Sequence, residues 1–162
     1  SETMTLQSSA LLMRAAKRGN AKAQFAMGSM FESGSGVEKN IKSAAYWYSK
    51  SAEQGDKEAQ YKISTLYKKG VGVAQDNSIS LRWLFASASR GHTQAQVEMG
   101  QLYVRGEGVD RNLIEAHKWF NLASTQGADS ATRQRDRIGS RLSSEDLFKA
   151  QELARLWVPA SD

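Results

Sequence analysis

Gly91-His92-Thr93-Gln94-Ala95-Gln96 repeats what Gly19-Asn20-Ala21-Lys22-Ala23-Gln24 and Gly55-Asp56-Lys57-Glu58-Ala59-Gln60 have already spelled. The leading glycines stand 36 residues apart, and Gly127 marks a fourth interval. Self-similarity at a period of a few tens of residues signals a solenoid, in which each unit buries its apolar face on its neighbours. Working outward from this stretch, the copies agree where packing demands it. An alanine falls four residues after each glycine, at Ala23, Ala59, Ala95 and Ala131. Large apolar pairs follow at Met30-Phe31, Leu66-Tyr67 and Leu102-Tyr103. Next come Gly34-Ser35-Gly36, Gly70-Val71-Gly72 and Gly106-Glu107-Gly108, trailed by Val37, Val73 and Val109, and a tryptophan closes each unit at Trp47, Trp83 and Trp119.

Each unit reads as two helices. The sets Ala23, Met27, Met30, Phe31; Ala59, Ile63, Leu66, Tyr67; and Ala95, Met99, Leu102, Tyr103 have helical spacing. The glycine doublet ends that helix, and Asn40, Asp76 and Asn112 offer N-caps for the next. Ala44, Trp47 and Ser51, or Ala116, Trp119 and Ala123, then let the second helix approach closely, with the tryptophan filling the gap between pairs. The expected fold is an all-α, right-handed solenoid of stacked antiparallel helix pairs in one domain spanning residues 1–162. Residues 19–54, 55–90 and 91–126 form three repeats. Residues 5–18 form a half-repeat cap, since Leu11, Ala15 and Ala16 fall one period before Trp47, Ser51 and Ala52. Residues 127–162 hold a partial repeat and a closing helix, N-capped near Ser143 and striped by Leu147, Ala150, Ala154 and Trp157.

These residues resemble the SEL-one-like repeats, relatives of the tetratricopeptide repeats. The third copy carries the resemblance best, through Ala95, Met99-Gly100-Gln101-Leu102-Tyr103, Gly106-Glu107-Gly108-Val109, Asn112, Ala116-His117-Lys118-Trp119 and Ala123. Two departures stand in the second copy, where Ser64 replaces the helix glycine and Ser80 replaces alanine. The stretch from Leu142 to Trp157 is similar to the closing helix of many bacterial members. The resemblance implies an adaptor that assembles complexes, often in bacterial envelope, signalling or host-contact roles, and on that basis alone an exported bacterial protein with a removed leader, or else a cytoplasmic one. The first residue is Ser1 rather than Met, which also suits a fragment of a longer array.

Composition narrows the classes. Among the 162 residues, 40% are hydrophobic and 24% charged, as in an ordinary globular chain. There is no cysteine, which removes disulfides and thiolate metal sites. The one proline, Pro159, lies beyond the last expected helix. No apolar run reaches the length of a membrane span. The net charge of +5 is concentrated in the amino half, which favours acidic partners unless the lysines simply solvate helix faces.

A stripe on each first helix avoids the core positions: Lys22, Phe25, Ser29 and Glu32; Glu58, Tyr61, Thr65 and Lys68; Gln94, Val97, Gln101 and Val104. Steps of three, four and three residues keep each set on one helix face. The resemblance puts first helices on the concave side of the solenoid, so Phe25, Tyr61 and Val97 read as an apolar ladder for a peptide, with core packing as the alternative for Phe25 and Tyr61. A second candidate is the basic run Arg133, Arg135, Arg137 and Arg141, suited to carboxylates or phosphates but diluted by Asp129 and Asp136.

Catalytic signals are weak. The glycine doublets follow helices and precede no Gly-Lys-Ser/Thr. No serine has a lysine three residues on, so the Ser-x-x-Lys chemistry linked with some cysteine-rich relatives lacks its residues. His92 and His117 have no ligand spacing, and His117, in register with Ala45 and Leu81, should be partly packed. The sequence thus predicts a non-catalytic, monomeric scaffold without cofactor, metal or nucleic acid, binding a protein or peptide along the concave face. A glycan or cell-wall module is the alternative, since Gln94, Gln101, Thr65 and Tyr61 would also suit sugar.

Overall fold

A computed structural model describes residues 2–161, with side chains described from residue 6 onward; Ser1 and Asp162, at the ends of the expected domain, lie outside the described residues. Among the described residues there are nine α-helices and no strand. They are α1 (Glu2–Lys17), α2 (Ala21–Ser33), α3 (Ile41–Glu53), α4 (Lys57–Lys69), α5 (Asn77–Ser89), α6 (Thr93–Arg105), α7 (Leu113–Thr125), α8 (Asp129–Gly139) and α9 (Ser144–Leu156). The fold class is an all-α solenoid of repeated helix pairs. The chain divides into two compact units, Ser1–Trp83 and Leu84–Asp162, with the boundary inside α5. In the first unit α2 packs on α1 and α3, and α3 on α4; in the second α7 packs on α6, α8 and α9.

The short turns are closed by side chains. Asn20, Asp56 and His92 each cap the following helix, accepting from the backbone N–H of Ala23, Ala59 and Ala95 at 2.8, 2.9 and 3.1 Å. Asn40, Asp76 and Asn112 do the same for α3, α5 and α7, as their register predicts. At the other end of α2, Gly34 takes φ 74°, a left-handed C-cap whose N–H returns to the carbonyl of Met30 at 2.8 Å. The residues after Gly19, Gly55 and Gly91 bring in a further tie. Gln24, Gln60 and Gln96 are buried, and each Nε2 donates to a carbonyl at the end of the preceding helix: Ala16, Ala52 and Ala88, at 3.1 to 3.2 Å.

The core places bulk differently from the sequence reading. Trp119 is buried, with Phe85 edge-on at 6.1 Å, but Trp47 and Trp83 are only partly buried. The deepest bulk comes from the residue after the tryptophan: Tyr48 in the first unit and Phe120 in the second are fully buried. Their rings lie flat against helix glycines. A Cβ on Gly28 would meet the Tyr48 ring at 2.6 Å, and one on Gly100 would meet Phe120 at 2.7 Å. In the second copy the two departures are a single change. The Ser64 hydroxyl donates to the Ser80 carbonyl at 2.9 Å, and the Ser80 hydroxyl donates to the Ser64 carbonyl at 2.8 Å. Leu84, shorter than an aromatic ring, holds the register of Tyr48 and Phe120 in that copy.

The ends also differ in detail. Leu11, expected in the packed stripe of the amino-terminal cap, is 64% exposed, while Leu12, Met13 and Ala16 face the α2 core. The register is unchanged: Leu11 matches the only partly buried Trp47, whereas Leu12 matches the fully buried Tyr48. At the carboxyl end Ser143 caps α9 by accepting from Asp146 N–H at 3.1 Å, and Ala150 is buried. Trp157 comes within van der Waals distance of where a Gly91 side chain would begin.

His117 is 4% exposed, deeper than its register suggested, and its Nδ1 has no hydrogen-bond partner among the described residues. Burial lowers its pKa below the usual 6.5, the Arg135 charge adds to this, and Asp136 opposes it. Above that usual value His117 is neutral whether the chain is folded or not. As pH falls, the unfolded chain takes up the proton first, so stability is lost until the folded chain's lower pKa is passed.

Two outcomes follow for stability. Gly100→Ala should destabilise by about 1–3 kcal/mol in denaturant titration, and adding Phe120→Leu should recover part of the loss by shortening the opposing ring. Between about pH 7.5 and about pH 5.5 the denaturation midpoint of the wild type should fall further than that of His117→Leu, whose position cannot take up a proton.

Candidate partner-binding face

In the first unit α2 and α4 present the predicted stripe. Lys22, Glu58 and Lys68 are exposed, whereas Phe25, Ser29, Glu32, Tyr61 and Thr65 are partly buried. The Phe25 ring lies 5.5 Å from that of Tyr48, centroid to centroid, and leans on the Ala44, Tyr48 and Ile63 core. Phe25 is therefore partly committed to the core, with the rest of its side chain open to solvent. Tyr48 supports the face from beneath, its hydroxyl 3.2 Å from that of Ser29. Burial raises the Tyr48 pKa, which keeps the phenol neutral, and the Ser29 hydrogen bond works against that rise. Lys62 reaches Glu32 at 3.1 Å and joins α4 to α2 across the face. Both partners are substantially solvated, so this pair orders the surface more than it stabilises the fold. The Thr65 hydroxyl turns back to donate to the Tyr61 carbonyl at 3.2 Å, leaving the Tyr61 side chain as the larger feature of its helix face.

In the second unit the stripe departs from the expected ladder. Gln94 is exposed, and Gln101 and Val104 are partly exposed, but Val97 is only 4% exposed. It packs with Ala116, Phe120 and Ala123 and offers a partner almost no side-chain surface. The reason is reach. A valine ends close to the helix backbone, where the longer rings of Phe25 and Tyr61 extend beyond the neighbouring side chains.

The basic run also separates. Arg135 turns toward α7, its Nη1 donating to Asn121 Oδ1 at 3.0 Å and to Ser124 Oγ at 3.3 Å, with Asp136 ion-paired beside it at 3.0 Å. Arg133, Arg137 and Arg141 remain exposed. Helical geometry divides the four, since residues two apart point some 200° from each other and residues four apart nearly coincide. Tyr48 is the supporting residue that the sequence reading passed over. Its signal was present, because an apolar residue follows each repeat tryptophan.

His92 is committed to capping α6 and His117 to the core, and no cluster of three or more His, Asp or Glu able to hold a metal occurs among the described residues. No described helix is long and apolar enough to cross a membrane.

Comparison with known proteins agrees with this geometry. The Sel1 repeat family matches residues 21–56, 57–92 and 93–127, each match opening where α2, α4 or α6 begins. A Sel1 repeat protein from Oxalobacter formigenes is similar over 93% of this chain and 45% of its own, at 31% identity and a TM-score of 0.80. The c5321 protein of uropathogenic Escherichia coli, described as a protective antigen with an SLR fold, is similar over 94% of this chain and 40% of its own, at 26% identity and a TM-score of 0.59. The chain thus spans less than half the length of either relative. No match is found among curated proteins. Three consecutive matches, in phase with the caps and buried glutamines, establish that the chain belongs to the Sel1 repeat family.

Proposed function

We propose that this chain is a non-catalytic scaffold whose first unit binds a protein or peptide on the outward face of α2 and α4. Repeats of this family generally mediate protein–protein interactions and are typically non-enzymatic. The observation that carries the reading here is the pair Phe25 and Tyr61. These aromatics stand in the same register of successive repeats, each partly exposed, beside the exposed charges of Lys22, Glu58 and Lys68. Partly seated aromatics with a charged border suit a protein surface, because the rings supply apolar contact area at little entropic cost while the border sets orientation. In the second unit Gln94 and Gln101 continue the polar register, without an apolar rung at Val97.

Because Phe25 also supports the core, its truncation confounds binding with folding. The exposed border makes the cleaner test. Wild type and a Lys22→Glu, Glu58→Lys, Lys68→Glu variant, matched by circular dichroism and melting temperature, would be cross-linked to interacting proteins in native lysate and the captures compared. The expected result is a protein retained by the wild type and depleted about tenfold with the variant. Equal capture by both would remove this face as the binding surface.

A further inference from the structure

We propose that the outer face of α8 is a docking surface for an acidic protein segment, whose carboxylates meet Arg133, Arg137 and Arg141. The three arginines are spaced four residues apart, so they form one line along the helix with a step of about 6 Å. Arg141 lies just past the end of α8, and Ser140 between keeps a right-handed helical backbone, so the line continues. All three are exposed, and no acidic partner is found for them among the described residues. That sets them apart from their neighbours. In the same unit Arg105, Lys118, Arg135, Lys149 and Arg155 are ion-paired, Arg111 donates to the Val104 carbonyl at 3.1 Å, and Arg90 also has a partner. The unpartnered cations of this unit thus collect on a single line.

Repeat register adds an independent reason. Asp129 begins α8 one period after Thr93 begins α6, which makes α8 the first helix of a fourth pair. Arg133 then holds the register of Phe25, Tyr61 and Val97, and Arg137 that of Ser29, Thr65 and Gln101. The helix face that the earlier copies devote to mixed apolar and polar side chains is here devoted to guanidinium groups. Asp129 stands on the same line one turn earlier. It occupies the first turn, where a carboxylate suits the helix dipole, and it forms no ion pair with Arg133.

The chemistry favours carboxylates presented by a protein. Guanidinium groups bind carboxylates in bidentate fashion, and an extended segment places alternate side chains about 6.5–7 Å apart, close to the step of the arginine line. A nucleic acid is less suited. Residues 84–162 contain equal numbers of basic and acidic residues, which gives no broad positive field, and α8 carries no aromatic side chain on which a base could stack. The proposal does not rest on the α2 and α4 face, and either can fail without the other.

The test uses a fluorescent peptide of alternating Glu and Ser, with Gln-Ser and Lys-Ser peptides and a single-stranded oligonucleotide of matched charge as comparisons. Binding would be read by anisotropy for the wild type, for Arg133→Gln, Arg137→Gln, Arg141→Gln, for the corresponding triple lysine variant, and for a Lys17→Gln, Lys39→Gln, Lys42→Gln control at exposed lysines outside both proposed faces. Circular dichroism would check each fold, and the single Arg137→Gln variant carries the same test if the triple is destabilised. The expected result is binding of the Glu-Ser peptide by the wild type, weakened about tenfold by the glutamine triple and less by the lysine triple, with the control unchanged. No binding by the wild type, equal binding by the glutamine triple, an equal loss in the control, or tighter binding of the oligonucleotide would each overturn the proposal.

Discussion

The buried glutamine near the head of each repeat is the interaction on which the rest depends. A helix leaves its last carbonyls without intrahelical partners, and one in each turn is shared between a backbone N–H, that of Gly19, Gly55 or Gly91, and a glutamine amide whose burial unpaired would cost about 1–3 kcal/mol. Gln24, Gln60 and Gln96 donate to one such carbonyl eight residues earlier, across the tight turn. In the first and third copies the tie extends further. Gln54 donates to Gln24 Oε1 and to the Gly19 carbonyl, both at 2.8 Å, and Gln126 does the same for Gln96 and Gly91 at 2.8 and 3.0 Å. The second copy has Arg90 in the register of these two glutamines, and Gln60 Oε1 is left without a hydrogen-bond partner among the described residues.

With the turns fixed in this way, the separation between paired helices is set by what lies between them. The first and third copies use an aromatic ring against a glycine, Tyr48 on Gly28 and Phe120 on Gly100. The second uses two serines that exchange hydrogen bonds with each other's carbonyls. Either arrangement brings backbones close, but by different forces: dispersion over a flat ring in one case, polar pairing in the other. Tyr48 then carries the consequence outward. Its hydroxyl meets Ser29 and its ring supports Phe25, so a core residue helps shape the face of α2.

The candidate faces follow from what each first helix does with the same register. Phe25 and Tyr61 are long enough to serve the core and still reach solvent, Val97 is drawn wholly into the core, and Arg133 stands clear of it. One position thus moves from partly seated aromatic to buried aliphatic to free cation along the chain. Repeats that fold by a common rule can in this way present different chemistry to a partner without altering the frame beneath.

The sequence by itself determined the period, the helix pairs, the Asn and Asp caps of the second helices and the family, because these depend on local spacing that recurs three times. It also located the stripe on each first helix, since helical periodicity places residues three and four apart together. Only the tertiary structure decided how deep each stripe residue sits. Val97 was lost to the core, Arg135 was turned to Asn121 and Ser124, and Leu11 gave way to Leu12, because burial depends on the neighbouring helix and on side-chain length. The pairing of Ser64 with Ser80, and the roles of Gln24, Gln60, Gln96 and Tyr48, were likewise decided there. Each is a contact between helices, and a one-dimensional pattern records that such residues recur without recording what they touch.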